Sequence, residues 1–255
     1  METQKNELGT PAQEEKFQGN YFQWIRSELQ GWSTPIWSIF WFGISFELAL
    51  FLFGKINLLT IITFAATMFG LLCVCAMAEG KTINGVLGLV SAIGFIYVNW
   101  SAGHYASVLD QTIFALLIDI PLLLKWKTWG QNFDQKVRKL GTKGYLIVVP
   151  AMAIAWGVLF KVYTMLNDSN PVWDSLVLAI GATESLLVVL HYNDCYALWL
   201  AEDVVNVALW FSALSAGYSQ ASLPMLVVTM IYFASALYGK FFSVWSNKHY
   251  KAVKG

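Results

Sequence analysis

Five residues in one apolar stretch, Tyr196, Trp199, Asp203, Asn206 and Trp210, combine aromatic and hydrogen-bonding side chains at helical spacing. At about 100° per residue they fall within an arc of about 80°, while Leu200, Val204, Val205, Val207 and Ala208 cover the remainder. A flat ligand carrying hydroxyls needs that pairing: rings to stack on, and an acid and an amide to accept and donate hydrogen bonds. The competing reading has Asp203 and Asn206 tying helices together, with the tryptophans as interface anchors. Anchors belong at helix ends, and Asp203 and Asn206 lie a few residues inside.

Other polar residues fall in apolar stretches, where their cost makes them functional candidates. Glu202 borders the same stripe close to a segment end, where hydration is the alternative to a role in binding. Glu184 and His191 stand one heptad apart, a spacing that suits a proton relay; a histidine at a helix end is otherwise a solvated surface residue. Asp110 and Gln111 open another stretch, and Asp119 lies deeper, just before Pro121. Proline there frees a carbonyl and predicts a kink, so Asp119 is either a cavity wall or a protonated acid bonded to the opened backbone. Glu47 reads as a helix-to-helix hydrogen bond or an outward-reaching side chain.

Several chemistries have no motif. The GxxxxGK[ST] phosphate loop is absent, as are HExxH and GxSxG, which argues against ATP binding, metalloprotease and acyl-transfer functions. Cys73, Cys75 and Cys195 form no CxxC or His-assisted spacing and read as buried thiols. We expect no cofactor, no metal and no enzymatic activity.

The elements that must position these residues follow from composition. Of the 255 residues 57% are hydrophobic and 13% charged, with 12 Trp and 17 Phe, a balance foreign to water-soluble chains. The formal net charge of +0 gives no field that would attract nucleic acid. Stretches of roughly 20 apolar residues, enough to cross a ~30 Å hydrocarbon layer, run from Pro35 to Phe53, Asn57 to Met77, Thr82 to Trp100, Ala106 to Trp126, Gly144 to Leu166, Val172 to Leu190, Tyr196 to Ala216 and Ser222 to Trp245. The expected architecture is all-α and integral to the membrane, with about eight transmembrane helices. Residues 1–34 form a polar tail without the pattern of a cleaved signal peptide, containing a short interfacial helix around Tyr21 to Trp32. Residues 35–245 form the transmembrane domain and 246–255 a basic tail.

With eight spans, one side of the membrane holds Lys5, Lys16, Arg26, Lys81, Lys125, Lys127, Lys136, Arg138, Lys139, Lys143, Lys240, Lys248, Lys251 and Lys254. The other holds only Lys55 and Lys161. The positive-inside rule therefore predicts both termini in the cytoplasm. An internal repeat is also visible. Ala66-Thr67-x-x-x-Leu71 recurs as Ala182-Thr183-x-x-x-Leu187, Ser101-Ala102-Gly103 as Ser215-Ala216-Gly217, and Trp129 as Trp245. The offsets are 116, 114 and 116 positions (182−66, 215−101 and 245−129). Two three-helix repeats, 57–126 and 172–245, keep the same orientation only if one helix, 144–166, inverts the chain between them. This gives a three-plus-one-plus-three core with an extra N-terminal helix, and parallel repeats of this kind place a substrate path between the halves.

Gly70-Leu71-Leu72-Cys73-Val74, the run Asn84 to Ala92 with Tyr97, then Tyr105, Gln111 and Trp126, and later Trp173-Asp174-Ser175 and Leu198-Trp199-x-x-x-Asp203-Val204-Val205 resemble the PnuC vitamin transporters. The resemblance covers the chain from about Asn57 to Trp245. It implies a SWEET-like fold in a bacterial inner or plasma membrane that passes nicotinamide riboside down its gradient by alternating access, with a cytoplasmic kinase trapping the product. Relatives in that family carry thiamine, riboflavin or deoxynucleosides. Trp199 and Asp203 occupy the family's Trp and Asp/Asn positions. Tyr196 replaces its first Trp, Asp119 stands where Gln or Asn is expected, and Pro121-Leu122-Leu123 replaces an aromatic-Gly-Trp run. The expected substrate site is Tyr196, Trp199, Asp203, Asn206 and Trp210 facing Asp119 and Gln111, with Glu184, Glu202 and His191 as possible additions. An intramembrane enzyme or a receptor is the alternative from another class; the first lacks a nucleophile or metal set.

Overall fold

The computed structural model describes residues 19–126, 138–217 and 219–246. Trp129, most of the expected basic loop and both distal tails lie outside these residues. Nine helices follow one another among those described. α1 (Tyr21–Glu28) is short, and α2 (Thr34–Phe53), α3 (Leu58–Ala78), α4 (Asn84–Ala102), α5 (Tyr105–Leu124), α6 (Gly141–Met165), α7 (Pro171–Val189), α8 (Cys195–Ala216) and α9 (Ser222–Phe242) are each long and apolar enough to cross a membrane. The chain is therefore a multi-pass membrane protein, because lipid leaves backbone groups no partner but their own helix. Among the described residues the one strand-like pairing is an isolated bridge between Arg138 and Tyr192.

Local chemistry sets the helix boundaries. Asn57 opens α3 with a reciprocal cap, its Oδ1 accepting from Thr60 N at 3.0 Å while Thr60 Oγ1 accepts from Asn57 N at 2.9 Å. Pro35 and Pro171 sit in the first turns of α2 and α7, where a missing N–H costs nothing. Gly103 and Gly217 end α4 and α8 with φ of 76° and 68°, left-handed values that a side chain would strain. α5 is not uniform, since residues Ala115–Asp119 widen into a π turn immediately before Pro121. Proline cannot bond to Leu117 and its ring crowds that carbonyl, and the extra residue in the turn relieves the crowding.

The helices enclose two large apolar cores and a small one formed by Ala106, Tyr163 and Leu178. One large core joins α1 to α4 with α9 and the C-terminal end of α8, through Trp24, Ile36, Leu71, Val98, Trp210 and Val228; the other joins α5, α7, α8 and α9 through Ile118, Ile180, Leu187, Tyr196 and Ala236. α6 lies at the edge, meeting the second large core through Met152 and the small one through Leu159 and Tyr163. Its contacts are chiefly with α7, Tyr163 is its one buried residue among those described, and Trp156 Nε1 donates to Val172 O at 3.2 Å.

The N-terminal segment folds back on the bundle. Glu28 Oε2 accepts from Thr82 Oγ1 at 3.0 Å and from Ile83 N at 3.1 Å, so an acid from α1 caps the start of α4. Trp24 is buried against Trp126, with ring centroids 5.2 Å apart. Ser33 donates to Glu79 Oε1 through both its N–H and its hydroxyl and also meets the Tyr238 hydroxyl at 2.8 Å.

Candidate functional site: a cavity between six helices

A cavity opens between α3, α4, α5, α7, α8 and α9, and neither α2 nor α6 contributes to its wall. α8 supplies Tyr196, Trp199, Glu202, Asp203, Asn206 and Trp210, so all five stripe residues reach one space. α5 adds Ser107, Asp110, Gln111 and Phe114, and α7 adds Val177 and Glu184. The remaining wall comes from Gly70, Cys73, Val74 and Met77 of α3, Gly88, Ser91, Phe95 and Asn99 of α4, and a face of α9 that includes Thr229, Tyr232 and Ser235.

Aromatic rings stand at the two ends. Tyr196 and Trp199 meet edge to face with centroids 4.6 Å apart, and Tyr196 also meets Trp245 at 5.6 Å; the Trp245 Nε1 donates to Met77 O at 3.0 Å. At the far end Trp210 packs edge-on against His104 at 4.8 Å. His104 is buried in the loop between α4 and α5, with neither ring nitrogen hydrogen-bonded. Burial disfavours its charged form and pushes its pKa down to about 4, so the ring is neutral at physiological pH.

Glycines let polar side chains approach the cavity wall. A Cβ on Gly181 would lie 2.0 Å from Asp110 Oδ1, and one on Gly70 would lie 2.0 Å from the Tyr232 hydroxyl. Asp110 and Tyr232 thus sit on bare helix backbone. α5 is fixed at its start by α7, because Asp174 accepts from the N–H groups of Ala106 at 2.7 Å and Ser107 at 2.9 Å and from the Ser107 hydroxyl. Asp168 accepts from Tyr105 N at 2.9 Å. These carboxylates satisfy the free N–H groups of the first turn and hold Ser107, Asp110 and Gln111 in phase.

Two expected residues fall elsewhere. Asp119 lies outside the cavity wall: it is fully buried between α5 and α4, where a Cβ on Gly88 would lie 2.3 Å from its Oδ1. Neither oxygen has a hydrogen-bond partner, so it is not bonded to the opened backbone either. Gly88 has no side chain, so the Asp119 carboxyl packs onto the bare backbone of α4 and is taken up by that contact instead of the cavity. His191 does not share a helical face with Glu184. α7 ends at Val189, and His191 follows with φ of 59°, its carbonyl accepting from Arg138 N at 2.7 Å. Glu47 is buried inside the bundle, with Oε1 lacking a hydrogen-bond partner, so it does not reach outward.

Sequence reasoning passed over Asn99, Ser107, Thr229, Tyr232 and Ser235 as cavity residues. The signal was present, since Gly88, Ser91, Phe95 and Asn99 recur every three or four residues, as do Met225, Val228, Thr229, Tyr232 and Ser235. Small hydroxyls in apolar helices bond to their own backbone, as Thr229 does to Met225 O at 2.8 Å, which makes such a stripe easy to overlook. Among the described residues no three His, Cys, Asp or Glu side chains are placed to hold a metal ion. The cavity offers stacking surfaces, hydroxyls, amides and acids, which is equipment for binding.

The nicotinamide mononucleotide transporter family matches residues 60–247, most of the chain. A nicotinamide riboside transporter PnuC of Neisseria mucosa is 24% identical over 224 residues, covering 85% of this chain and 83% of the relative. Its namesake in Escherichia coli is 23% identical over 195 residues, covering 65% and 79%. The crystal structure of the vitamin B3 transporter PnuC superposes with a TM-score of 0.75 at 21% identity, covering 92% of this chain and 99% of that one. That likeness shows the fold, and the match along residues 60–247 places the chain in the nicotinamide mononucleotide transporter family, whose members are transporters and not enzymes.

Proposed function

We propose that the chain takes up nicotinamide riboside by facilitated diffusion, passing it between the two halves of the bundle by alternating access, with a cytoplasmic kinase trapping the product. The observation that carries this reading is the convergence of Tyr196, Trp199, Asp203, Asn206 and Trp210 on one cavity, opposite Gln111. Rings of that kind hold a flat heterocycle, and the acid and amides hold ribose hydroxyls. Relatives named for nicotinamide riboside support the choice of vitamin. The nucleoside-like alternatives are deoxynucleosides, thiamine and riboflavin.

The bundle works as two three-helix repeats, α3 to α5 and α7 to α9, joined by α6, with α2 added outside. Support comes from the nearly constant offset of the repeated motifs, from the left-handed glycines that end α4 and α8 114 residues apart (217−103), and from the exclusion of α2 and α6 from the cavity wall. Both termini lie in the cytoplasm on this reading, on the strength of the lysine and arginine distribution.

Calorimetric titration of the purified protein with nicotinamide riboside, thiamine, riboflavin and deoxynucleosides tests the assignment. Nicotinamide riboside should bind most tightly, and Trp199→Ala and Asp203→Ala should weaken it. Unchanged binding in both variants, shown to be folded, would make the stripe structural and the site wrong.

A further inference from the structure

Among the described residues the cavity is lined by acids and by no base. Asp110 of α5, Glu184 of α7 and Glu202 and Asp203 of α8 line it, and no described Lys, Arg or His does so. Glu184 and Glu202 share the cavity wall, and Asn206 Nδ2 donates to Glu202 Oε1 at 3.3 Å. Glu184 is 3% exposed, and its Oε2 has no hydrogen-bond partner. Among the described residues, nothing that lines the cavity from other helices carries positive charge. α9 presents the unpartnered Tyr232 hydroxyl, α3 presents the Cys73 thiol, α4 presents Ser91 and Asn99, and the uncharged His104 lies beyond Trp210.

A structural tie between α7 and α8 would satisfy both Glu184 oxygens. Instead one oxygen is left without a partner, on a side chain that lines the cavity in the same wall as Glu202 and Trp199. Acids gathered in a low-dielectric site without a counter-ion favour whatever cation enters. Aromatic faces in the same space add to that preference.

We infer that Glu184 and Glu202 make this site selective for the charge of the ligand's ring, which supplies the positive charge that the wall omits. This rests on the vitamin reading above and deepens it by naming the ligand feature recognised and the residues that recognise it. Nicotinamide riboside carries its positive charge on the pyridinium ring. Its dihydropyridine form keeps the ribose and the carboxamide and has no charge.

Titrating the purified protein with both forms separates the two contributions. The parent should bind the oxidised form at least about tenfold more tightly than the reduced form. Glu184→Gln and Glu202→Gln keep size and hydrogen bonding, so they should bring the ratio to within about threefold by weakening only the cation. A merely structural role would lower both affinities together. Equal affinity of the parent for the two forms, or an unchanged ratio in either folded glutamine variant, overturns the inference while leaving the vitamin reading intact. Failure of the parent to bind either form rejects both. The parent measurement needs no substitution, so the test stands even if one variant fails to fold.

Discussion

Trp199 is half-buried beside Tyr196, on the part of α8 that faces the cavity, whereas Val204 points outward and is exposed. Trp199→Ala should remove stacking worth about 1 to 3 kcal/mol and so weaken nicotinamide riboside several-fold or more by titration calorimetry. Val204→Ala should leave affinity unchanged. His104 gives a prediction with a definite sign. Its folded pKa of about 4 lies below the ordinary 6.5, so on acidification the unfolded chain takes up a proton that the folded chain refuses. The stability it allows is complete above about pH 6.5 and is lost as the pH falls toward 4. Thermal unfolding in detergent should show the midpoint dropping across that window, and His104→Asn should shrink the drop. The aromatic and acidic positions on α8 were legible in the sequence because they interrupt an apolar background at helical spacing. His104 was not legible, because it falls between two spans where only the folded loop reveals that it is buried.

At the scale of elements, the eight spans were readable from length and hydropathy, and their ends agree with the sequence reading to within a few residues, since Asn, Pro and Gly mark them chemically. Rotation of the helices was harder to read. Long apolar helices carry hydrophobic residues on every side, so only polar residues signal which face turns inward. Asp119 shows how that signal fails, because it is polar and fully buried yet packs against Gly88 of α4 without lining the cavity. Close helix contacts were equally hidden. Gly181→Ala would put a methyl group 2.0 Å from Asp110 Oδ1 and push that carboxyl away from α7. The expected cost is about 1 to 3 kcal/mol of stability, the range for overpacking, read as a lowered unfolding midpoint. The α1 segment invites a milder test. Glu28→Ala removes the acceptor for Thr82 Oγ1 and Ile83 N at the start of α4 and should cost about 1 kcal/mol, as lost helix caps do.

For the whole molecule, charge placement and cavity placement make separate demands. Positive residues gather on one side of the eight-span arrangement, so a cysteine at Gly255 should stay unlabelled by an impermeant maleimide applied to intact cells and react once the cells are opened. The native cysteines are all buried and should add little background. Efficient labelling from outside would reverse the orientation. On the proposed reading the cavity opens to each side in turn with no nucleotide motif in the chain to drive it, so substrate should equilibrate and not accumulate. The most direct measurement is uptake of radiolabelled nicotinamide riboside into proteoliposomes holding the parent or the Trp199→Ala variant, with and without proton and sodium gradients. The account predicts saturable uptake by the parent that levels off at the outside concentration whichever ion gradient is imposed, and markedly slower uptake at low substrate by the variant. Accumulation above the outside level driven by an ion gradient alone, or no uptake by folded parent protein, would contradict it.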